Sequence, residues 1–411
     1  MNRETAETVL ANGLRLVAVL APGAPLAETR LVLPYACSDS RLAATRELLA
    51  ACLGTGTRAP ARTRQDIADR AADLGAELST VVTAESMVLA TSVLSAGLPG
   101  ALDLLADLLT RPRYTEDELA LARRRGAGAS RAPGPLGRLR GSVLAHAFGS
   151  HPLTRPRPAP VDDPPSRREV EALHARAVVP DGAVLLVMSD RDPQEALRLA
   201  GVRLESWSGG PSGLTLPRFE RAEPFPGRVT LSSHDPAQAM VLTAGPAVPA
   251  ADPGHAPLHL AQLLLGGHAS SRLARRLRDR HGLAYAVSAE LREYRAGCWL
   301  EVECSGAPGT AARTAAEVTD ALRELADAGP TAREVDRARA YATGFTRFAL
   351  ATRTEEASAL AGFAAAGLPL DWLDAYRGVL AEVTHAQVAA AAAHFLDPSK
   401  AVIATYDEEG R

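Results

Sequence analysis

One local pattern occurs twice in this chain, about 200 residues apart, and it limits the folds that the chain can adopt. Val178–Asp190 reads VVPDGAVLLVMSD, and Phe395–Asp407 reads FLDPSKAVIATYD. Each segment combines the end of a short helix, a turn and an apolar strand. A repeat of this length predicts two α+β domains of one design, residues 1–205 and residues 228–411. The Gly-, Pro-, Ser- and charge-rich residues 206–227 between them are typical of an exposed linker.

Length and composition agree with two domains of a globular protein. The 411 residues exceed one ordinary domain, and 46% hydrophobic residues are enough to build sizeable cores. A net charge of −3 argues against nucleic acid or a membrane surface as the main partner. No stretch reaches the ~18 consecutive apolar residues of a membrane span, and the N-terminus lacks a secretory-signal pattern. We therefore expect a cytoplasmic protein, in which Cys37, Cys52, Cys298 and Cys304 are reduced thiols rather than disulfides or zinc ligands.

Local patterns predict several elements that the structure can test. Residues 63–74 are typical of an amphipathic helix with Thr63 as its N-cap and Gly75 as its end. The Gly-, Ala-, Pro- and Arg-rich residues 126–137 indicate an irregular loop. A long helical stretch is predicted from residue 331 to about residue 365.

The most specific pattern lies within residues 263–304. An apolar helix breaks at two glycines, and a basic helix with a serine N-cap follows over residues 270–280. In the sequence LRDRHGLAY, Arg278 lies at the end of this helix and Tyr285 at the start of a strand. A guanidinium and a phenol at this spacing can both donate hydrogen bonds to a peptide carbonyl or an oxyanion. By spacing alone, a surface arginine and a tyrosine at the edge of the core are the simpler interpretation.

Residues 265–287, LGGHASSRLARRLRDRHGLAYAV, resemble the C-terminal-domain signature of the M16 (pitrilysin/insulinase, processing-peptidase-like) family, LGG-x-x-SSRL-x-x-x-LR-x-x-x-GLAY. The resemblance extends over essentially the whole chain, through NGLRLV near the start, HPL at His151 and P-x-Q at Pro236. It implies two tandem homologous M16-type domains, each a mixed β-sheet packed against helices. The family's substrate-binding Arg/Tyr pair falls on Arg278 and Tyr285.

The resemblance also implies where a catalytic site would lie. Active members carry HxxEH on the first helix of the N-terminal domain, where two histidines bind zinc and the glutamate deprotonates water. In the family, Gly-Thr follows this motif after four residues. The Gly54-Thr55 dipeptide of this chain therefore places the histidine positions at Thr45 and Leu49 and the base at Leu48. None of the three can replace the zinc ligand or base expected at its position.

No other register restores the zinc site. Glu47 is the only carboxylate nearby, and no histidine precedes His146. The downstream glutamate ligand of the family would fall within residues 123–128, which contain no acid. His146 and His151 are five residues apart and do not share a helix face. We expect no metal role for these two or for the scattered remainder, His174, His234, His255, His259, His268, His281, His385 and His394.

Within the family, loss of the zinc motif together with retention of the residues at Arg278 and Tyr285 is the pattern of a subunit without zinc. In several members one subunit carries zinc, and a second subunit without zinc supplies the Arg/Tyr pair across a shared chamber. We therefore interpret the chain as the non-catalytic, substrate-binding subunit of a heterodimeric M16B zinc metallopeptidase. The resemblance implies zinc only in the homologous partner subunit and a peptide as substrate, and removal of a leader peptide is one reaction of this kind.

Two rival interpretations belong to other classes. The first is a stand-alone peptide-binding or scaffold protein derived from an M16 peptidase, with Arg278 and Tyr285 left from its ancestry. The second is a peptidase with an unorthodox site, for which the sequence offers no residues. A neighbouring gene with an intact HxxEH would favour the heterodimer over both.

Overall fold

The computed structural model describes residues 4–36, 39–129, 134–154, 163–211, 214, 217–219, 225–234, 236–348 and 350–409. The α-helices of this part of the chain are α1 (Ser40–Cys52), α2 (Arg64–Leu74), α3 (Leu98–Thr110), α4 (Glu116–Ala129), α5 (Pro135–Phe148), α6 (Arg167–Ala177), α7 (Pro193–Leu204), α8 (His255–Gln262), α9 (Ala311–Ala328), α10 (Ala332–Phe348), α11 (Arg353–Ala366), α12 (Trp372–Glu382) and α13 (His385–Phe395). Two π-helical segments, Leu263–Gly267 and Ala274–Arg280, follow α8. Among these described helices, none has the length and apolar character that crossing a bilayer requires.

The strands form two large sheets and one small hairpin. They are β1 (Thr5–Val9), β2 (Arg15–Leu20), β3 (Leu26–Pro34), β4 (Thr57–Arg58), β5 (Ala61–Arg62), β6 (Glu77–Val82), β7 (Ser86–Leu94), β8 (Val184–Ser189), β9 (Gly227–Ser233), β10 (Ala239–Pro246), β11 (Ala286–Tyr294), β12 (Gly297–Gly306) and β13 (Val402–Glu408). Sheet 1 has the order β1-β2-β8-β3-β7-β6, and sheet 2 has the order β11-β12-β10-β13-β9. The hairpin pairs β4 with β5.

The two sheets share one five-stranded plan around the repeated strand. β8 pairs in parallel with β2 and antiparallel with β3, and β13 pairs in parallel with β9 and antiparallel with β10. Every residue of β8 is buried, which is why its sequence is a continuous apolar run rather than an alternating one. Both sheets are mixed and pack against helices. The predicted α+β fold with two domains of one design is therefore confirmed.

Each compact unit of the chain is assembled from three segments. Unit 1 comprises residues 1–132, 158–216 and 348–373, and unit 2 comprises the remaining segments, 133–157, 217–347 and 374–411. Unit 1 thus holds sheet 1 together with α11 from the C-terminal half, and unit 2 holds sheet 2 together with α5 from the N-terminal half. A unit defined by contacts differs from a homologous domain, so the domain boundaries 1–205, 206–227 and 228–411 stay a prediction.

In unit 1, α11 covers one face of sheet 1. Its buried Ala357 and Leu360 belong to one apolar cluster with Val17 and Leu186 of the sheet. At the start of the helix, Arg353 donates to the backbone carbonyls of residues 21 and 26, at 2.8 and 2.7 Å. Apolar burial and backbone hydrogen bonds together fix this helix to a sheet that is more than 150 residues distant in sequence.

In unit 2, α5 covers sheet 2 in the corresponding way. Leu139 and Val143 pack in one cluster with Leu242 of β10. Arg140 forms an ion pair of 2.8 Å with Glu301, whose side chain is 2% exposed. A buried carboxylate requires such a partner, because leaving it unpaired costs about 3–5 kcal/mol.

Some local predictions are confirmed and others are wrong. Helix α2 has the predicted Thr63 cap, which forms a reciprocal capping box with Asp66, and it ends at Gly75 with φ 61°. The loop predicted over residues 126–137 is wrong at both ends, because α4 continues to Ala129 and α5 begins at Pro135, and residues 130–133 of it lie outside the described residues. The single helix predicted from residue 331 is also wrong. It is two helices, because the side chain of Thr352 caps a new helix, α11.

Trp207 of the predicted linker lies in the core of unit 1, whereas residues 206 and 208–210 around it are exposed. Trp207 is 1% exposed, and its Nε1 donates to the Val178 carbonyl at 3.2 Å. The Asn12 side chain in turn donates to the Trp207 carbonyl at 2.7 Å. Linker residues 212, 213, 215, 216 and 220–224 lie outside the described residues.

The described cysteines are free thiols. Burial raises the pKa of Cys52 to about 11 and the pKa values of Cys298 and Cys304 to about 12. Protonated thiols of this kind pack as small apolar side chains and are poor nucleophiles. Cys37 lies outside the described residues.

Candidate functional site

The three positions that correspond to the zinc motif lie on α1 with buried side chains. Thr45 is 4% exposed, and its hydroxyl donates to the Arg41 carbonyl one turn earlier, at 2.8 Å. Leu48 and Leu49 belong to the main apolar core of unit 1, with 7% and 0% exposure. This helix therefore contributes packing at the positions where the M16 resemblance predicts ligands and a base.

These side chains do not fit a zinc ion. Leucine offers no lone pair, and the threonine hydroxyl is used within the helix. In the region of the downstream ligand, Arg123 donates to the Pro165 carbonyl at 2.6 Å. In the described residues, no group of three or more His, Cys, Asp or Glu side chains is placed to hold a metal ion. That the chain binds no zinc stays a prediction.

Arg278 lies on the π-helical segment Ala274–Arg280, in unit 2. The serine cap is Ser271, whose hydroxyl accepts from the Ala274 amide at 3.4 Å. The Arg278 guanidinium donates from Nε to Asp279 at 2.9 Å and from Nη2 to the Ala269 carbonyl at 2.9 Å. Its side chain nevertheless remains 45% exposed. The guanidinium is thus held in position while part of it faces solvent.

Tyr285 follows the same turn and is also exposed. Beyond Gly282, with φ 61°, the chain folds back, and the Leu283 amide donates to the Leu277 carbonyl at 2.7 Å. Tyr285 is 62% exposed, and its hydroxyl donates to the side-chain oxygen of Gln238. The structure therefore places Arg278 and Tyr285 on two sides of one hydrogen-bonded turn.

Gln238 and Asp279 are the partners that sequence reasoning did not assign. Gln238 belongs to the P-x-Q match and directly precedes β10, and Tyr285 directly precedes β11. Both strands pair with β12, through Ala239 with Gly306 and Ala286 with Ser305. The strand order alone therefore brings the two side chains to the same end of sheet 2. Asp279 could have been found as the neighbour of an arginine at a helix end.

This arrangement can bind a carbonyl or an oxyanion. A guanidinium has five N–H donors, and the two described bonds leave the others available. The Tyr285 hydroxyl has one proton, which is given to Gln238 until a stronger acceptor competes for it. Negative charge on a peptide oxygen is such an acceptor, because charge-assisted hydrogen bonds are roughly twice as strong as neutral ones.

Gly306, at the end of β12, makes room for the turn that carries Tyr285. A Cβ built at this position would overlap the Leu283 carbonyl oxygen and lie 3.0 Å from the Thr310 hydroxyl. Backbone cannot move aside as a flexible side chain can. The absence of a side chain at Gly306 is therefore a requirement of the site.

We expect Gly306→Ala to destabilise unit 2 by about 1–3 kcal/mol, the usual cost of overpacking. Urea unfolding would show a lower midpoint, and hydrogen exchange at the Leu283 and Tyr285 amides would become faster. Gly378→Ala on α12 is the control, since a Cβ there meets nothing within 4 Å and should stabilise the helix slightly. An unchanged midpoint with unchanged exchange in Gly306→Ala would contradict this account.

The best-buried histidines have structural hydrogen bonds instead of metal-site geometry. His174 contacts the Tyr114 hydroxyl at 2.7 Å and the Leu109 carbonyl at 3.0 Å. His255 and His259 both contact the Tyr376 hydroxyl, at 2.7 and 3.2 Å. Burial lowers the pKa of each of these three histidines to about 4. They are therefore neutral at pH 7 and satisfy polar groups of the two cores.

Two further histidines bond to the backbone. His146 contacts the Pro226 carbonyl at 3.2 Å, and His151 of the HPL segment contacts the Pro217 carbonyl at 3.0 Å. Both contacts lie within unit 2. His146 thus joins α5 to Pro226, and His151 joins the chain just after α5 to Pro217.

Sequence comparison relates this chain to zinc proteases. Residues 166–341 match the family profile described as "Peptidase M16 inactive domain". The chain is 29% identical over 287 residues to an uncharacterized zinc protease of Mycobacterium leprae, an alignment that covers 66% of this chain and 62% of that protein. It is 28% identical over 336 residues to an uncharacterized zinc protease of Mycobacterium tuberculosis, with 80% and 76% covered. The match thus spans less than two thirds of the length of the M. leprae relative.

Solved structures share the whole fold. A peptidase M16 inactive domain from Pseudomonas fluorescens superposes with a TM-score of 0.88 at 23% identity, covering 100% of this chain and 98% of that one. A protease from Helicobacter pylori also gives a TM-score of 0.88, at 16% identity, covering 99% and 100%. At these identities the likeness concerns the fold.

The chain thus combines two mixed sheets of one plan, an exposed turn with Arg278 and Tyr285, and a first helix with apolar Leu48 and Leu49. Over residues 166–341 the chain is similar to the M16 peptidase family. It contains the domain described in that family as inactive and is related to zinc proteases.

Proposed function

We propose that this chain is the non-catalytic, substrate-binding subunit of a heterodimeric zinc metallopeptidase. The contrast between two sites supports this proposal. Thr45, Leu48 and Leu49 are buried, and their side chains cannot bind a metal ion. Arg278 and Tyr285, in contrast, are exposed on a turn that hydrogen bonds hold in place. An arginine and a tyrosine kept for packing alone would not need to face solvent.

The substrate is a peptide or an unfolded segment, and its binding uses the donors of unit 2. Arg278 holds a carbonyl of the peptide backbone, and Tyr285 donates to the oxygen that becomes negative as the scissile carbonyl is attacked. Cleavage itself belongs to a homologous partner subunit that carries zinc. A ribosomally made peptide losing its leader segment is one substrate of this type.

Strand addition is the mode of peptide binding that the fold supports. β11 begins directly after Tyr285 and is an outer strand of sheet 2. An outer strand presents unpaired backbone groups that an extended peptide can join. Main-chain bonding of this kind accepts many sequences, which suits a peptidase acting on unfolded segments.

The purified chain is expected to hold no stoichiometric zinc and to cleave no peptide. Mixing it with a zinc-bearing homologue should give activity that neither subunit shows alone, through an interface at or above the standard ~1,600 Å². Elemental analysis, gel filtration and peptide cleavage by each subunit and by the mixture test this directly.

Two results would contradict the proposal. About one tightly bound zinc per chain would mean that this subunit has its own metal site. If the zinc-bearing homologue alone cleaves as fast as the mixture and the two do not co-elute, the chain is a stand-alone peptide-binding or scaffold protein.

A further inference from the structure

Exposed aromatic side chains are confined to two places in the described part of the chain. The sequence is only 4% aromatic. Within the described residues, the exposed aromatics are Tyr285 and three residues of α10, which are Tyr341, Phe345 and Phe348. Large apolar side chains left in water at one location are typical of a binding surface.

The α10 residues form a stripe with helical spacing. Tyr341 and Phe345 are four residues apart, and their rings stack with centroids 5.6 Å apart and planes 13° apart. Phe348 follows three residues after Phe345, which is also a helical spacing. The adjoining side of the helix carries Val335, Ala338 and Ala342, which are buried. Helix α10 therefore contributes small side chains to the core, and its aromatic side chains are exposed.

His268 connects this stripe to the site of Arg278. Its ring lies 5.3 Å from the Tyr341 ring, and its Nδ1 accepts from the Ser270 amide at 3.2 Å. The residue between them, Ala269, supplies the carbonyl that holds the Arg278 guanidinium. Tyr341 and the Arg278 guanidinium thus contact the same short loop of unit 2.

The His268 ring presents an uncharged face at pH 7. Burial and, secondarily, the charge of Arg275 lower its pKa below the ordinary value. A neutral imidazole next to two stacked rings continues an apolar surface without adding charge. We name His268, Tyr341 and Phe345 the aromatic shelf.

We propose that the aromatic shelf binds a large apolar side chain, aromatic above all, of the same extended peptide whose backbone carbonyl Arg278 holds. The inference rests on the proposed function and adds the side-chain preference. An extended peptide advances ~3.3 Å per residue, so a carbonyl at Arg278 and a side chain at the shelf are a few residues apart. Backbone donors give affinity without sequence preference, and the shelf supplies selectivity.

Two labelled peptides and the full-length chain test the proposal. Each fluorescein-labelled peptide has about 12 residues, which extend to at most ~40 Å. It consists of Gly, Ser and Ala and differs from the other only in one central residue, Phe or Ala. In fluorescence anisotropy we expect the Phe peptide to bind about tenfold more tightly, as burial of one aromatic ring allows.

Matched variants distinguish the contribution of the aromatic shelf from the contribution of Arg278, which binds the peptide backbone. Tyr341→Ala combined with Phe345→Ala should abolish the preference and leave the affinity for the Ala peptide unchanged. Tyr341→Phe should keep the preference, because the ring remains. Val379→Ala, which removes an apolar side chain that is 51% exposed on α12 in the same unit, should change neither affinity. Arg278→Ala should weaken both peptides by the same factor.

The outcomes distinguish failure of the shelf from failure of the proposed function. Equal binding of both peptides by the wild-type chain, binding of neither, or a preference that survives the double variant would overturn the shelf. If the wild-type chain binds both peptides and Arg278→Ala weakens both, the proposed substrate-binding role stands, whereas binding of neither peptide overturns that role as well. If the double variant abolishes the preference but Arg278→Ala has no effect, the shelf stands and the role of Arg278 falls.

Discussion

Replacing Tyr285 with phenylalanine is expected to lower kcat of the reconstituted heterodimer about 10²–10³-fold, equivalent to about 3–4 kcal/mol of transition-state stabilisation. The change removes one hydroxyl and leaves the ring. That hydroxyl is exposed and oriented by Gln238, so its loss should alter neither folding nor assembly. Steady-state kinetics on the mixed subunits measures the effect, and gel filtration shows that the variant still assembles.

A second hydroxyl at the other end of β11 provides the control. Tyr294→Phe makes the same chemical change on a half-buried ring that stacks on Trp299, with centroids 5.3 Å apart, and kcat should be unaffected. Arg278→Ala should lower kcat/KM chiefly by weakening peptide binding. Wild-type kcat/KM in both Tyr285→Phe and Arg278→Ala would leave this chain a scaffold.

Rebuilding the zinc motif, with Thr45→His, Leu48→Glu and Leu49→His together, is expected to destabilise unit 1 by about 5 kcal/mol or more. Leu49 is 0% exposed and Leu48 is 7% exposed. Each replacement removes core packing worth about 2–5 kcal/mol and buries a polar group without a designed partner. The total approaches the whole stability of a typical domain, about 5–15 kcal/mol. Urea unfolding followed by circular dichroism would show the loss.

The rebuilt helix should not yield an efficient enzyme even where it folds, because residues 123–128 contain no acidic third ligand. Ala51→Glu is a control on the exposed side of α1 and should change stability by no more than about 0.5 kcal/mol. A triple variant that unfolds at the wild-type urea concentration and holds about one zinc per chain would contradict the account of α1 as a core helix.

Features set by neighbouring residues could be predicted from the sequence. The buried strand β8 and its counterpart β13 follow from their apolar runs, and the Thr63 cap follows from hydroxyl and acid spacing. The exposed turn of Arg278 and Tyr285 was located by its motif. Burial of Leu48 and Leu49 agrees with a helix that has lost its polar ligands.

Features set by distant residues could not be predicted in this way. The hydrogen bond from Tyr285 to Gln238 depends on strand order across sheet 2. Helix α5 was missed because its first turn contains Pro135 and Gly137, while the packing that stabilises it comes from Leu242 and other residues of sheet 2. The π-helical geometry around Arg278 has no sequence signal in the patterns used to place helices.

Unit 1 contains α11 from the C-terminal half of the chain, and unit 2 contains α5 from the N-terminal half. This arrangement determines when each unit can be completed during synthesis. Domains generally fold as they emerge from the ribosome, N-terminal domain first. Here the strands of sheet 1 are available once residue 189 has emerged, but the helix that covers Val17 and Leu186 begins only at residue 353. At about 5–20 residues per second the delay is on the order of ten seconds. During that interval an apolar sheet face lacks its native cover, so the nascent chain is a natural client for chaperones.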